Sequence, residues 1–374
     1  MPFWSWRRRP AVALPLPDDA LVLEEILRRQ VADVFAVRQR FLRGRAVVFT
    51  GELTVAARRA LDVLIDRFRP LGYTPMLRRA EGGVALEAWP LREAAPPARV
   101  RLNVLLFFLT CLTTLVAGSG AFLTFDPLRE PARILHGIPF AFTLLAILGT
   151  HEFGHYFTAR YHGAAVSLPY FIPAPPPFLF GTLGAIMSST VRDRNALFDI
   201  AVAGPLAGLV VAVPALVLGL AWSVVATVPP GGYIVFGDSL LMRALVYATV
   251  GPIPPGMDVF IHPVALAGWV GLFVTALNLF PVGQLDGGRI SYALFGGHHR
   301  LVGYLTVAGL VALGLVTGSP NWLVWAALVF LFIGFRHAPP LDDVTPLTRR
   351  RRVLGYLCLL LLVLLIPPVP VELG

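Results

Sequence analysis

Two histidines and a glutamate form a short motif, HEFGH, at positions 151–155 of the chain. On an α-helix, residues four positions apart lie on nearly the same face, so His151 and His155 would point their imidazoles toward one metal ion. This spacing predicts one zinc ion per chain, bound by both histidines. Glu152 is the candidate catalytic residue, because a carboxylate beside the metal can take a proton from zinc-bound water as that water attacks a carbonyl.

A second motif, NLFPVGQLDGG at positions 278–288, offers a third metal ligand. A catalytic zinc site usually has three protein ligands and leaves one position for water. Asp286 is the leading candidate, because proline and glycine break the helix beside this acidic residue, and Asp199 is the alternative. Asn278, about two helical turns before Asp286, is a candidate for binding the substrate carbonyl or the developing oxyanion; the alternative is a hydrogen bond between helices.

Both motifs lie in apolar sequence. Hydrophobic residues make up 56% of the 374 residues and charged residues 14%, whereas about 25% of residues are charged in soluble domains. Crossing a bilayer takes about 20 apolar residues, and seven segments approach this length: 102–124, 138–161, 197–223, 263–282, 302–318, 321–336 and 353–371. Ionisable groups are costly inside a membrane unless they are paired or bound to metal, so the HEFGH motif favours a metal site over a chance pattern.

Arginine supplies all the positive side-chain charge, since the chain contains no lysine, and its distribution predicts the orientation. If the N terminus is cytoplasmic, most loop arginines are cytoplasmic too, in line with the positive-inside rule. Of the loop arginines, only Arg129, Arg133 and Arg243 then lie outside. We therefore expect a multi-pass protein of the cell (inner) membrane, surrounded by the lipid bilayer. The arginines form no patch interleaved with aromatic residues, so we expect no nucleic-acid partner. The apolar stretch 240–250 is too short to span and is assigned to an extracytoplasmic loop.

Residues 1–100 contain no apolar run long enough to cross a bilayer and predict a small α/β domain with its linker. Apolar residues recur at helical spacing between positions 23 and 34. Residues 45–53 are typical of a strand, 54–69 of an amphipathic helix, and 73–89 of a hairpin that turns at Gly82 and Gly83.

The two motifs and their context resemble the site-2 proteases, a family of intramembrane zinc metalloproteases. The similarity extends to GTLGAI at 181–186, FDIAVAGPLAG at 198–208 and IHP at 261–263, and it covers about residues 100–300. These segments are similar to the branch with cyanobacterial and chloroplast members. The resemblance implies a transmembrane protein as substrate, Glu152 as the catalytic acid and base, and three zinc ligands: His151, His155 and Asp286.

The segment between the second and third apolar stretches contains five prolines in residues 167–180, followed by a short apolar run. A peptide bond inside a helix is shielded, so a protease acting in the membrane must hold its substrate extended, and a strand edge can do this by backbone pairing. We therefore predict a membrane-dipping hairpin whose edge binds substrate through Gly181, Thr182, Leu183 and Gly184; the alternative is a plain interfacial loop. The small residues Gly204, Pro205 and Gly208 are predicted to allow close helix packing.

The predicted fold is a multi-pass α-helical membrane protein with about seven transmembrane helices, a membrane-dipping hairpin and a small N-terminal α/β domain. We divide the chain into a cytoplasmic α/β domain and linker (1–100), an intramembrane metalloprotease core (101–300) and C-terminal transmembrane helices (301–374). The alternatives are a secondary transporter, a CAAX-type zinc protease with a glutamate as third ligand, and a proteolytically inactive membrane chaperone. The sequence specifies neither the substrate nor the oligomeric state.

Overall fold

The computed structural model describes residues 17–91, 99–121, 124–175, 178, 180–186, 191–228, 231 and 233–373. The chain folds into two compact units. The first unit contains the described residues up to position 91 together with Arg192–Arg194 and Pro339–Pro346. The second unit contains the other described residues, and the two units are considered in turn.

The first unit combines two helices with a four-stranded antiparallel sheet. Its elements are α1 (Pro17–Val31), β1 (Phe35–Arg43), β2 (Ala46–Leu53), α2 (Ala57–Phe68), β3 (Tyr73–Ala80) and β4 (Gly83–Pro90). The strand order is β1-β2-β4-β3. Leu61 and Leu64 lie on one face of α2 and share a buried core with Phe49 of β2 and Leu86 of β4. An apolar helix face packed on a sheet is the arrangement that the sequence pattern of this region predicts.

Strand β1 is the element of the first unit that the sequence analysis missed. It is an edge strand that pairs only with β2 within the sheet, and after Phe35 most of its residues are exposed. A strand that buries neither face has no alternation of apolar and polar residues, which is the signal that identifies strands in sequence. The hairpin of β3 and β4, by contrast, forms as predicted, with its turn at Glu81 and Gly82 and with Gly83 paired to Ala80.

Two short segments from distant parts of the chain extend the sheet of the first unit beyond β3. The backbone N–H of Leu77 donates to the carbonyl of Leu341 (2.7 Å), and the N–H of Asp343 donates to the carbonyl of Leu77 (3.0 Å). The N–H of Asp342 in turn donates to the carbonyl of Arg192 (2.7 Å). The edge of β3 is therefore covered by residues from the stretch that the sequence analysis assigned to C-terminal transmembrane helices.

The second unit is mainly helical. Its helices are α3 (Val100–Gly118), α4 (Ile138–Tyr161), α5 (Arg194–Ala221), α6 (Leu240–Thr249), α7 (Pro263–Leu279), α8 (Asp286–Phe295), α9 (His299–Thr317), α10 (Pro320–Leu328) and α11 (Arg349–Leu365), with α5 starting at a residue of the first unit. Helices α4 and α7 approach closely, since a Cβ atom at Gly271 would lie 2.9 Å from the side chain of Ile147. Close helix approach through small residues is common in membrane proteins, where packing rather than water exclusion drives association.

Among the described residues of this unit, three two-stranded antiparallel sheets lie between the helices. They are β5 (Tyr170–Pro173) with β6 (Thr182–Ile186), β7 (Val224–Thr227) with β9 (Met257–Phe260), and β8 (Ile234–Phe236) with β10 (Val371–Leu373). The sequence analysis extended the last membrane segment to residue 371. Helix α11 ends at Leu365 instead, because Pro367, Pro368 and Pro370 cannot continue a helix. The chain then forms β10, which pairs with β8.

Four helical stretches of the described residues are long and apolar enough to cross a membrane: Val100–Gly118, Pro131–Tyr161, Arg194–Ala221 and Asp286–Thr317. Three shorter apolar helical stretches accompany them: Leu240–Thr249, Pro263–Leu279 and Pro320–Ile333. The predicted helical membrane architecture with a small N-terminal sheet is therefore confirmed at this level. The count of seven spans stays a prediction.

The stretch that the sequence analysis assigned to an extracytoplasmic loop is helical. Its residues form α6, and the hydroxyl of Ser239 accepts a hydrogen bond from the N–H of Met242 (3.1 Å) at the start of this helix. The prediction that this stretch is too short to span agrees with the short helix, and its extracytoplasmic location stays a prediction. The helix has 10 residues, or roughly 15 Å at 1.5 Å per residue, which is about half of a bilayer core.

Candidate metal centre

Helix α4 buries the three polar residues of the HEFGH motif. His151, Glu152 and His155 are 3%, 9% and 5% exposed. The Nε2 atoms of His151 and His155 lie 3.1 Å apart. Both imidazoles therefore converge on one point, as their four-residue spacing on a helix requires.

Asp286 reaches the same point from the first residue of α8. Helix α7 ends at Leu279, and the turn that follows contains Pro281 and leads directly into α8. The Oδ2 atom of Asp286 lies 3.1 Å from Nε2 of His155 and 3.4 Å from Nε2 of His151. One nitrogen from each histidine and one carboxylate oxygen thus lie within 4.8 Å of one another, and all three residues are buried.

The two glycines after Asp286 allow the first turn of α8 to pack on the turn that precedes it. A Cβ atom at Gly287 would lie 1.9 Å from the carbonyl oxygen of Leu279, and one at Gly288 would lie 2.5 Å from the carbonyl oxygen of Gly283. No side chain fits such distances to backbone atoms. The glycines therefore fix the position of Asp286 at the start of α8.

The donor set of this cluster fits a zinc ion. Zinc in proteins is bound by histidine nitrogen and carboxylate oxygen, and a catalytic site commonly has three protein ligands. Nδ1 of His155 lies 2.6 Å from the carbonyl oxygen of Ile200, which can only accept a hydrogen bond. This hydrogen bond places a proton on Nδ1 and leaves the lone pair of Nε2 directed at Asp286 and His151, which is the usual outer-shell arrangement of a metal-binding histidine.

The alternative third ligand, Asp199, belongs to a different cluster. Its carboxylate accepts hydrogen bonds from Nε and Nη2 of Arg351, both at 2.7 Å. Its Oδ2 atom also lies 2.9 Å from Nε2 of His162, at the end of α4. Arg351 already balances the charge of Asp199, so the structure favours Asp286 over Asp199 as the third ligand.

Asn278 is half-buried on α7. The structure gives its side chain no hydrogen bond to His151, His155 or Asp286, all of which lie in described segments. The prediction that Asn278 contacts substrate therefore stays a prediction, and the alternative of a hydrogen bond to a neighbouring helix is not observed among the described residues.

The segment with the predicted substrate-binding residues forms a hairpin of β5 and β6. Thr182, Leu183 and Gly184 lie in β6, and Gly181 precedes it. Gly181 has a φ of 74°, and its carbonyl accepts a hydrogen bond from the hydroxyl of Thr113 on α3 (2.6 Å). Because β6 pairs only with β5 among the described strands, its other edge is available for pairing with an extended peptide. Residues 187–190, which follow β6, lie outside the described residues.

The sequence analysis missed the role of Ile200. Its backbone carbonyl orients His155, and a carbonyl group is present in every residue, so no residue type could have indicated it. Gly204, one helical turn after Ile200, was predicted to allow close helix packing, and a Cβ atom at this position would meet His155. The sequence offered one signal that Gly204 belongs to the site. It lies directly before Pro205, within the segment that resembles the site-2 proteases.

Comparisons with known proteins agree with this site. Residues 139–316 match the family model described as Peptidase family M50. Among curated relatives, the probable zinc metalloprotease EGY1, chloroplastic, of Arabidopsis thaliana is 37% identical over 248 residues, covering 63% of this chain and 44% of the relative. The probable zinc metalloprotease EGY2, chloroplastic, of the same plant is 30% identical over 245 residues, covering 63% and 42%. EGY3, chloroplastic, of Oryza sativa subsp. indica is 30% identical over 293 residues, covering 70% and 47%. The chain spans less than half the length of these relatives.

Proposed function

Residues 139–316 belong to peptidase family M50, and from this premise we propose that the chain is an intramembrane zinc endopeptidase. Its substrate is a protein segment embedded in the membrane, in which it hydrolyses a peptide bond. The observation that carries the proposal is the convergence of His151, His155 and Asp286, which come from two helices and meet at one buried point. A chance HEFGH motif would not be expected to meet a distant aspartate in this way.

The three converging residues would hold one zinc ion per chain. A zinc ion bound there supplies a Lewis acid that polarises the scissile carbonyl and makes water a stronger acid. Glu152 follows His151 on α4, is buried, and has no hydrogen-bond or ion-pair partner among the described residues. Its carboxylate is therefore free to take a proton from the attacking water and to return it to the leaving amine.

Substrate binding is assigned to the hairpin and to Asn278. In this proposal the hairpin of β5 and β6 dips into the membrane, and the open edge of β6 pairs with an extended substrate segment along residues Gly181, Thr182, Leu183 and Gly184. Leu183 is 60% exposed, so its side chain is available for contact. Asn278 would hydrogen-bond the substrate carbonyl or the developing oxyanion.

The membrane topology completes the proposal. We assign seven spans, a cytoplasmic N terminus, and the cell (inner) membrane as location. The same assignment keeps residues 1–100 as a cytoplasmic domain and linker, 101–300 as the protease core and 301–374 as the region of the last membrane helices. The arginine distribution supports the orientation, since cytoplasmic loops carry the excess of positive charge.

Zinc content tests the proposal directly. Plasma mass spectrometry of the purified full chain should find about one zinc per chain in the wild type and far less in Asp286→Ala, which retains only two of three ligands. Asp258→Ala is a matched control, because Asp258 is an exposed aspartate on β9, and this variant should keep its zinc. Wild-type protein that neither contains nor takes up zinc would contradict the proposed function.

A further inference from the structure

Gly204 of α5 lies directly against the ring of His155. A Cβ atom at Gly204 would lie 2.1 Å from Nε2, 2.4 Å from Cε1 and 2.5 Å from Cδ2 of that ring. Atoms that are not bonded do not approach so closely, so any side chain at position 204 would have to displace the imidazole. His155 is 5% exposed, so its ring is enclosed by the protein.

The same face of α5 also fixes the rotation of the ring. Ile200 lies four residues before Gly204, so both residues are on one side of the helix. The carbonyl of Ile200 accepts the hydrogen bond from Nδ1 of His155 at 2.6 Å. The imidazole thus lies against this helix face at two points. The carbonyl of Ile200 accepts the hydrogen bond from Nδ1, and the backbone of Gly204, which has no side chain, lies beside Nε2.

We propose that Gly204 is a positioning residue of the metal centre. The absence of a side chain at this position determines where Nε2 of His155 lies, and Nε2 is the atom that converges with His151 and Asp286. Alanine at position 204 would push this nitrogen away from the common point. This role refines the predicted close helix packing, because the α4 residue packed against Gly204 is the proposed ligand His155.

Neighbouring glycines distinguish this role from ordinary packing. A Cβ atom at Gly154 of α4 would meet the backbone oxygen of Ala203 at 2.7 Å and would not meet a ligand ring first. A Cβ atom at Gly208 would lie 3.3 Å from the nearest atoms of His151, a much milder contact. Of these three glycines, which lie where α4 and α5 pack together, only Gly204 lies against the Nε2 side of a proposed ligand ring.

A double-mutant cycle on the zinc-free full chain tests the contact itself. Gly204→Ala should lower the midpoint of thermal unfolding in the wild-type background and should leave it unchanged in the His155→Ala background, because the clashing ring is gone. Gly154→Ala is the matched control and should lower the midpoint in both backgrounds. An equal effect of Gly204→Ala in the two backgrounds would overturn the proposal. If Gly204→Ala alone does not fold, recovery of folding in the double variant supports the proposal, and failure of both variants overturns it.

Metal affinity tests the consequence, and this part rests on the proposed function. Competition with a chelator should show zinc binding about 10- to 100-fold weaker in Gly204→Ala than in the wild type, the range for residues that orient metal ligands. Gly309→Ala is the control, since a Cβ atom there meets nothing within 4 Å, and its affinity should equal that of the wild type. Unchanged affinity in Gly204→Ala would overturn the positioning role. Absence of zinc binding in the wild type would count against the proposed function instead, while the unfolding cycle would still decide the role of Gly204.

Discussion

Two histidine–aspartate pairs lie along α4, one at His155 and one at His162, the residue that follows the helix. They differ in the groups that surround the aspartate. Nε2 of His155 lies 3.1 Å from Oδ2 of Asp286, and the second neighbour of that oxygen is another histidine. Nε2 of His162 lies 2.9 Å from Oδ2 of Asp199, whose two oxygens are both bound by Arg351. The pairs are similar in distance, so distance alone does not separate their roles.

The arginine makes the difference. A carboxylate that leaves water requires a compensating positive charge. Arg351 supplies this charge to Asp199, and the cluster is a complete ion pair that joins the ends of three helices. Asp286 has no arginine in hydrogen-bond contact among the described residues and faces two imidazoles with converging nitrogens, so a metal cation is the natural counterion there. In this chain, therefore, the residues around Asp286 could hold a cation, whereas the charge of Asp199 is already balanced by Arg351.

Replacing one of the histidines beside each aspartate, His151 at Asp286 and His162 at Asp199, should give the largest contrast. His151→Ala removes a ligand, so it should lose zinc and proteolytic turnover together. His162→Ala removes a histidine from the same helix but leaves the bond between Arg351 and Asp199, so it should keep its zinc at a cost in stability of about 1 kcal/mol. Plasma mass spectrometry and cleavage of a model membrane substrate provide the two readouts. Loss of zinc in His162→Ala would show that the Asp199 cluster takes part in zinc binding, contrary to the role assigned to it here.

Glu152→Gln should separate metal binding from catalysis. The amide cannot accept the proton, whereas all three ligands remain, so zinc content should be unchanged and turnover should fall by about 10²- to 10⁴-fold. Glu130→Gln, at an exposed position ahead of α4, is a control that should retain activity. A Glu152→Gln protein with normal zinc that cleaves at the wild-type rate would refute the role of Glu152 as the catalytic base.

The cluster of His151, His155 and Asp286 could be predicted from sequence largely because these residues are chemically unusual where they occur. Two histidines and an acid in an apolar segment are costly in a membrane without a partner. That cost made His151 and His155 conspicuous, and a helix break pointed to Asp286, 131 positions after His155. Apolar patterns likewise predicted most helices of the second unit, although not α6 or α8, and the hairpin of the first unit.

The parts that could not be predicted depend on backbone atoms or on pairing between distant segments. The carbonyl of Ile200 contacts His155, and every residue has such a carbonyl, so no residue type indicates this contact. The pairing of Leu77 with Leu341 uses only backbone hydrogen bonds, and polar stretches such as the one around Leu341 carry no strand pattern. Strand β1 was not predicted because it is mostly exposed, so its sequence lacks the apolar–polar alternation that identifies a strand.

Arg351→Gln should have a moderate effect that is confined to stability. It removes the charge-assisted hydrogen bonds to Asp199, which are worth about 1.5–3 kcal/mol when partly buried, and the thermal midpoint should fall while zinc content stays constant. Arg350→Gln is the matched control, because the neighbouring Arg350 is exposed and makes no ion pair with another described residue. Equal midpoints for the two variants, or zinc loss in Arg351→Gln, would contradict the assignment of this cluster to structural stabilisation.

The smallest expected effect tests the side of the membrane on which the Asp199 cluster lies. Arg350→Cys, in a chain whose native Cys111 and Cys358 are replaced by alanine, should leave zinc content unchanged, because the side chain lies on the exposed first turn of α11. An impermeant maleimide should label it only after sealed, right-side-out vesicles are opened, since the arginine-rich start of α11 is expected in the cytoplasm. Asp258→Cys in the same background should react from outside. Labelling at position 350 in sealed vesicles would overturn the seven-span orientation, whereas the metal-centre proposal would stand, because its ligands meet within the fold whichever side α11 begins on.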